Sequence, residues 1–301
     1  MSTLPEARVG DPIRHEALIV FPLFTPDSES VDYLLADEAI AAGSVTVEEV
    51  SEGGSVPNLL VTNKGDLRVL FLEGEELRGA KQNRVLNTSV LIAAHGNTPI
   101  PVSCVEQGRW RYRSRHFEVS GSVSSSKLRR HLKESVAMSL KAGRGHASDQ
   151  GQVWREVGRQ MAAFSAPSET AAMADTYDSR RDLLAEFQKA LAYVEGATGM
   201  AVAVGGKVVA LDLFDKPSTC QKVWSRLLTG VAMDALESDQ AAPAVDRGDV
   251  ERLLASLRGH AWAPAPPVGE GQEFRYDESE IHGSALVFGT AVLHGSVVVA
   301  S

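Results

Sequence analysis

Phe71-Leu72-Glu73-Gly74-Glu75-Glu76-Leu77-Arg78-Gly79-Ala80-Lys81-Gln82-Asn83-Arg84-Val85-Leu86-Asn87-Thr88-Ser89 is the stretch on which the reading of this chain turns. A strand-like run at residues 67–72 leads into it and another at 85–93 leads out. Its polar residues are therefore expected on a turn held between two sheet elements. Glu73, Glu75, Glu76, Arg78, Lys81 and Arg84 put acids and bases side by side, joined by the amides of Gln82 and Asn83. Gly74 and Gly79 supply the backbone freedom of a tight turn. A solvated hairpin tip would also be polar. The density of groups that both donate and accept points instead to a site.

A second stretch works the same way. Residues 100–105 form an apolar run that passes into Glu106-Gln107-Gly108 and then Arg109-Trp110-Arg111-Tyr112-Arg113. As a strand, this would project Arg109, Arg111, Arg113 and Arg115 from one edge, with Trp110 and Tyr112 opposite. Guanidiniums in a row call for anions or acidic groups, and Arg binds carboxylate or phosphate bidentately. The aromatic rings can stack on a base or serve as core.

Gly74–Leu77, Gly79–Ser89 and Pro101–Trp110 together resemble the ARPP domain family, named for its association with ADP-ribosylglycohydrolase and rhodanese-phosphatase domains. Residues 201–215 resemble it as well, so the likeness spans roughly residues 16–237. The resemblance implies a link to NAD and ADP-ribose metabolism. It carries no catalytic residues over to this chain.

The 301 residues are 44% hydrophobic and 23% charged, a globular composition with enough length to bury a core. Cys104 and Cys220 stand far apart outside any Cys-x-x-Cys pattern, which speaks against a disulfide framework. No basic segment followed by an apolar run opens the chain, and the apolar run at 285–300 is broken by glycines and a histidine. A cytoplasmic protein without membrane attachment is the expectation. Net charge is −9, yet residues 109–146 hold ten Lys or Arg against Glu118 and Glu134. A basic block in an acidic chain fits a local anion site or a complementary patch on a second copy; the remaining charge makes nucleic acid a poor partner.

Along the chain, residues 15–24 read as a buried strand, 33–42 as helical and 44–50 as a strand. Runs at 57–62 and 67–72 flank Asn63-Lys64-Gly65-Asp66, a hairpin connection by composition. With strands at 84–93 and 98–105, the first 110 residues make a β-rich sandwich or barrel-like unit. Residues 111–301 read as a mainly helical part: helices at 124–142, from 149, at 169–195, 217–236 and from 246, a hairpin about Gly205-Gly206, a proline-rich linker at 261–267 and two or three C-terminal strands. The class is α+β. The last strands can return to the first sheet, making one continuous domain.

No Gly-x-Gly-x-x-Gly, P-loop, His-Glu-x-x-His or Gly-x-Ser-x-Gly signature is present, and no metal site is indicated. If Glu75 or Glu76 faces Glu106 across a cleft, these carboxylates would be candidate catalysts, dividing acid and base work. Lys81, Arg84, Arg109 and Arg111 would meet phosphate, while Gln82, Asn83, Asn87 and Gln107 read ribose or base and Trp110 stacks. The expected ligand is a small nucleotide-like molecule of the ADP-ribose kind, with processing of it as an extension of binding. The alternative is a non-catalytic homo-oligomeric module in which the charged turn is an interface and the same groups pair with one another. No cofactor is named by the sequence.

Overall fold

The computed structural model describes residues 4–300 apart from 27, 30, 52, 55–56 and 239–244. Strands β1 (Arg8–Val9), β2 (Ile13–His15), β3 (Leu18–Phe24) and β4 (Tyr33–Leu35) precede helix α1 (Ala36–Ala41). Then come β5 (Val45–Glu49), β6 (Asn58–Asn63), β7 (Arg68–Phe71), β8 (Glu75–Gly79), β9 (Arg84–Leu86), β10 (Val90–Ile92), β11 (Asn97–Cys104) and β12 (Phe117–Val123). Helices α2 (Ser126–Lys141), α3 (Gln150–Ala163), α4 (Met173–Asp178) and α5 (Arg181–Ala190) follow, then β13 (Gly199–Val204), β14 (Lys207–Phe214), α6 (Pro217–Leu236) and α7 (Arg247–Gly259). Four strands close the chain: β15 (Ala263–Ala265), β16 (Gln272–Glu278), β17 (Ile281–Phe288) and β18 (Ala291–Val299). The fold is α+β.

Strand β3 ties the ends of the chain together. Its run Leu-Ile-Val-Phe-Pro-Leu-Phe is apolar on both faces because both are covered: Leu18 and Val20 enter one core, while Ile19, Phe21 and Leu23 enter another. It pairs antiparallel with β13 inside a nine-stranded sheet ordered β1-β3-β13-β14-β18-β17-β16-β15, with β2 on β3. A cut at residue 110 would divide this sheet. One face packs against α2, α5 and α6; the other is covered by α7, whose Val250, Leu254 and Leu257 meet Trp262 and Tyr276. Asp246 caps α7, accepting from Asp249 N while the Asp249 carboxylate takes Asp246 N.

The remaining strands form a six-stranded sheet, β12-β8-β9-β11-β6-β5, and a three-stranded one, β10-β7-β4. The edge strands β12 and β5 approach each other, closing a barrel-like shape around Val47, Leu59, Val61, Leu77, Leu86, Ile100 and Val102. The segments flanking residues 63–66 do not form the expected hairpin. β6 pairs with β5 and β11, β7 with β4 and β10, and the chain changes sheets where Asn63 Nδ2 donates to Leu67 O and Ala93 O. Residues 84–93 likewise split into β9 and β10 in separate sheets.

A polar row joins the two halves. Asp212, Ser296, Ser284 and Arg275 lie in register across β14, β18, β17 and β16, and helix α2 lays Arg129 and Lys133 over them. Arg129 grips Asp212 with two hydrogen bonds of 3.0 and 2.5 Å and donates to Ser296 Oγ at 2.7 Å. Lys133 Nζ lies 2.5 Å from Glu73 Oε1 and 2.6 Å from Ser284 Oγ. Two cations of the basic block are therefore buried inside the molecule. On α6, Gly230 lets the helix lie on the backbone beyond β12: a Cβ there would stand 2.4 Å from Ser124 O.

Candidate functional site

The charged turn and the stretch after β11 meet. Gly79 (φ +138°) and Ala80 (φ +36°) reverse the chain after β8, and a Cβ on Gly79 would fall 2.6 Å from His116 O, so glycine is required there. The reversal brings Asn83 N within 3.0 Å of Glu106 Oε2. Arg109 then returns from the following loop and places its guanidinium between them. It donates to both oxygens of Glu106 at 2.8 and 2.7 Å, to Ala80 O, Arg111 O and Gly79 O, and to Asn83 Oδ1. With its donors committed to the protein, Arg109 is a clamp that sets the shape of the site. Residues 109–115 are consequently a loop and not a strand with an arginine edge.

A third segment completes the wall. Gly108 packs directly on Thr170, where a Cβ would meet Thr170 Cα at 2.9 Å, and its N–H donates to Thr170 O at 2.7 Å. Met173 N donates to Val105 O, Glu106 bridges to Ala172, and Thr170 Oγ1 donates to Glu106 Oε1 at 2.8 Å. Burial alone would raise the Glu106 pKa, but the hydrogen bonds from Arg109, Asn83 and Thr170 hold it below the ordinary range. Glu106 is thus a charged, fully engaged anchor.

These pieces enclose a cleft of about 1210 Å³. One wall carries Arg78, Arg111, Tyr112 and Arg113; the other carries Ser168, Glu169, Thr170, Asp175 and Asp178. Of the sequence candidates, Asn83, Glu106, Arg109 and Arg111 line it. Glu75 and Glu76 do not face Glu106. Glu75 turns to Arg226 of α6 at 2.9 Å, and Glu76 to Arg78 at 2.8 Å. Burial raises the pKa of both carboxyls, the arginines opposing it. Arg84 is fully buried, 3.6 Å from Glu49 and bonded to Gln82 Oε1. Asn87 does not line the cleft; it donates to His146 O and accepts from Ser103. Lys81 sits between the rings of Trp110 and Tyr112, 5.4 and 5.1 Å from their centroids, and Gln107 is exposed. Trp110 and Tyr112 are 48% and 53% exposed, so neither is core.

Sequence reasoning missed the wall from residues 167–178, read as part of one helix over 169–195. The chain breaks at Ser179 into α4 and α5, and the Ala166-Pro167 pair was the available sign that a loop precedes them. Arg78 was visible as a charge but not as a cleft residue. It is held from beneath by Glu76 and from the side by Asp178 at 3.2 Å.

Among the described residues, no group of three or more His, Cys, Asp or Glu is arranged to hold a metal ion, and no helix is long and apolar enough to cross a membrane. Both cysteines are free and buried. No curated protein and no solved structure matches the chain. A family model does match, over residues 6–298, nearly the whole length from β1 to β18 and including both polar stretches and the cleft between them. The chain belongs to the ARPP-1 family, the ARG and Rhodanese-Phosphatase-superfamily-associated Protein domain.

Proposed function

We propose that this is a cytoplasmic domain whose cleft binds a small nucleotide-like ligand of the ADP-ribose class. The observation that carries the reading is the make-up of the two walls. Arg78, Arg111 and Arg113 offer guanidiniums to phosphate beside Tyr112, a ring on which a base can stack, while Ser168, Thr170 and Asp175 opposite offer partners to sugar hydroxyls. The volume suits a dinucleotide-sized molecule. The lining holds four arginines and five carboxylates, a balance that favours a ligand mixing phosphate with hydroxyls over a bare polyanion. It also disfavours nucleic acid, whose binding needs surplus positive charge.

Binding is better supported than turnover. Glu75 and Glu76 are enclosed elsewhere, and Glu106 is held ionised by Arg109, so processing would fall to Glu118, Glu169 or Asp175. Calorimetry with ADP-ribose and NAD is expected to show binding that Arg111→Ala weakens by roughly tenfold, the loss of one charge-assisted contact. Arg111 is exposed, so this variant leaves the clamp intact, as Arg109→Ala would not. Absence of heat with either ligand would end the reading.

The second reading, a homo-oligomeric module, draws on the exposed Trp110 and Tyr112. The charged turn is enclosed within the chain, so an interface would form on this loop. Trp110→Ala is then expected to shift elution on a sizing column toward the monomer, and a wild-type monomer at high concentration would rule it out.

A further inference from the structure

The cleft meets a second hollow. A compartment of about 350 Å³ lies on the far side of Arg78 and Asp178, which line both, and its own walls include Ser120, Ser122, Tyr177, Arg181 and Gln188. Its floor is a bulge in β12. Val119 pairs with Leu77 and Val123 with Glu75, so residues 120–122 oppose Glu76 alone, and Gly121 takes φ +77° to make the turn. Bulges of this kind re-aim a strand away from regular pairing and gather near binding sites.

What separates the compartments is one carboxylate held from two sides. Asp178 Oδ2 lies 3.2 Å from Arg78 Nη1, and its Oδ1 lies 3.3 Å from Arg181 Nη2. Arg78 is fixed in turn by Glu76, a buried carboxylate at 2.8 Å, so its guanidinium stays in place if Asp178 leaves. Asp178 ends helix α4 with its side chain 42% exposed, and such solvent-facing ion pairs hold weakly.

We propose that the two compartments form one bipartite site for a ligand whose two polar ends are joined by a diphosphate linker. The linker takes the place of the Asp178 carboxylate between Arg78 and Arg181. The base end lies in the large cleft beside Tyr112, and the distal sugar enters the smaller compartment among Ser120, Ser122 and Gln188. This rests on the nucleotide reading above and adds to it the linker and the residues that receive it. Two guanidiniums converging on one carboxylate are already arranged for a second anion of similar size.

The test is titration calorimetry of the full chain with ADP-ribose, AMP and ribose 5-phosphate. ADP-ribose is expected to bind at least about tenfold more tightly than AMP, and Arg181→Ala to remove most of that advantage by lowering ADP-ribose affinity more than AMP affinity. Asp178→Asn, which removes the competing charge, is expected to tighten ADP-ribose severalfold. Arg181 and Asp178 are both exposed, so neither variant threatens folding. If Arg181→Ala leaves the ratio of ADP-ribose to AMP affinity as it was, the second compartment takes no part and this proposal fails alone. Silence toward all three ligands overturns it together with the nucleotide reading.

Discussion

Lys133→Met is expected to cost roughly 3–5 kcal/mol of folding stability, read as a lower urea midpoint, because it leaves Glu73 charged in the interior without its partner. Both side chains are essentially sealed from solvent. Burial would raise the Glu73 pKa, but Lys133, then Arg275, pull it below the ordinary range, while burial pushes Lys133 down to about 8. Once Lys133 is gone, the nearest remaining cation on Glu73 is Arg275, at 3.9 Å. Paired removal behaves differently. Glu73→Gln combined with Lys133→Met leaves no stranded charge and is expected to recover most of the loss. A single-variant cost below about 1 kcal/mol, the scale of an exposed pair, would show that this contact does not hold the barrel-like half to the large sheet.

That contact explains why the charged turn was legible as important although its acids do not converge on one cleft. Its three acids diverge: Glu73 enters the polar row, Glu75 meets α6 and Glu76 orients Arg78. Alternation along a strand separates Glu75 from Glu76, but it does not name the helix that each will meet. Within the two stretches Glu76 pairs with Arg78 and Glu106 with Arg109, whereas Glu73 and Glu75 reach beyond them to Lys133 and Arg226.

Local elements were readable because their signals are local. The β13–β14 hairpin has Gly205-Gly206, α6 opens with Pro217 at its first turn, and α7 has its capping box. Long-range pairings were not. The partner of β3 lies in residues 199–204, and nothing in an apolar run names its neighbour in the sheet. The alternating arginines failed as a strand signal because Arg109 finds carbonyls in the turn, which the loop must curl to reach. The linker at 261–267 contains β15, where Pro264 is tolerated because the strand lies at the sheet edge. The cleft was half legible: Glu106 and Arg109 stand three residues apart, but the opposite wall arrives from sixty residues later through backbone contacts at Gly108 that side-chain patterns do not encode.

Asp212→Asn is expected to cost about 3–5 kcal/mol at pH 7, since Arg129 then sits buried beneath a neutral amide. Its pH dependence separates this from ordinary packing damage. Burial would raise the Asp212 pKa, but Arg129, with His294, holds it far below the ordinary value. A carboxyl depressed in the folded state contributes stability that is present above its unfolded pKa, near 3.8, and that is lost as pH falls through the folded value. The gap between wild type and Asp212→Asn should therefore stay constant from pH 7 to about 5 and narrow toward pH 2. Asp234 works in the opposite sense. Burial raises it to about 6 against the hydrogen bond from Ser126 N, so its charged form carries a cost above pH 6 that is relieved as pH falls toward 3.8. Asp234→Asn should then remove a rise in wild-type stability between pH 6 and 4 while leaving the losses below 4 in place. Urea midpoints measured from pH 2 to 8 read both effects. A difference between wild type and Asp212→Asn that is the same at pH 2 as at pH 7 would mean that the Arg129–Asp212 pair is not what couples α2 to the sheet.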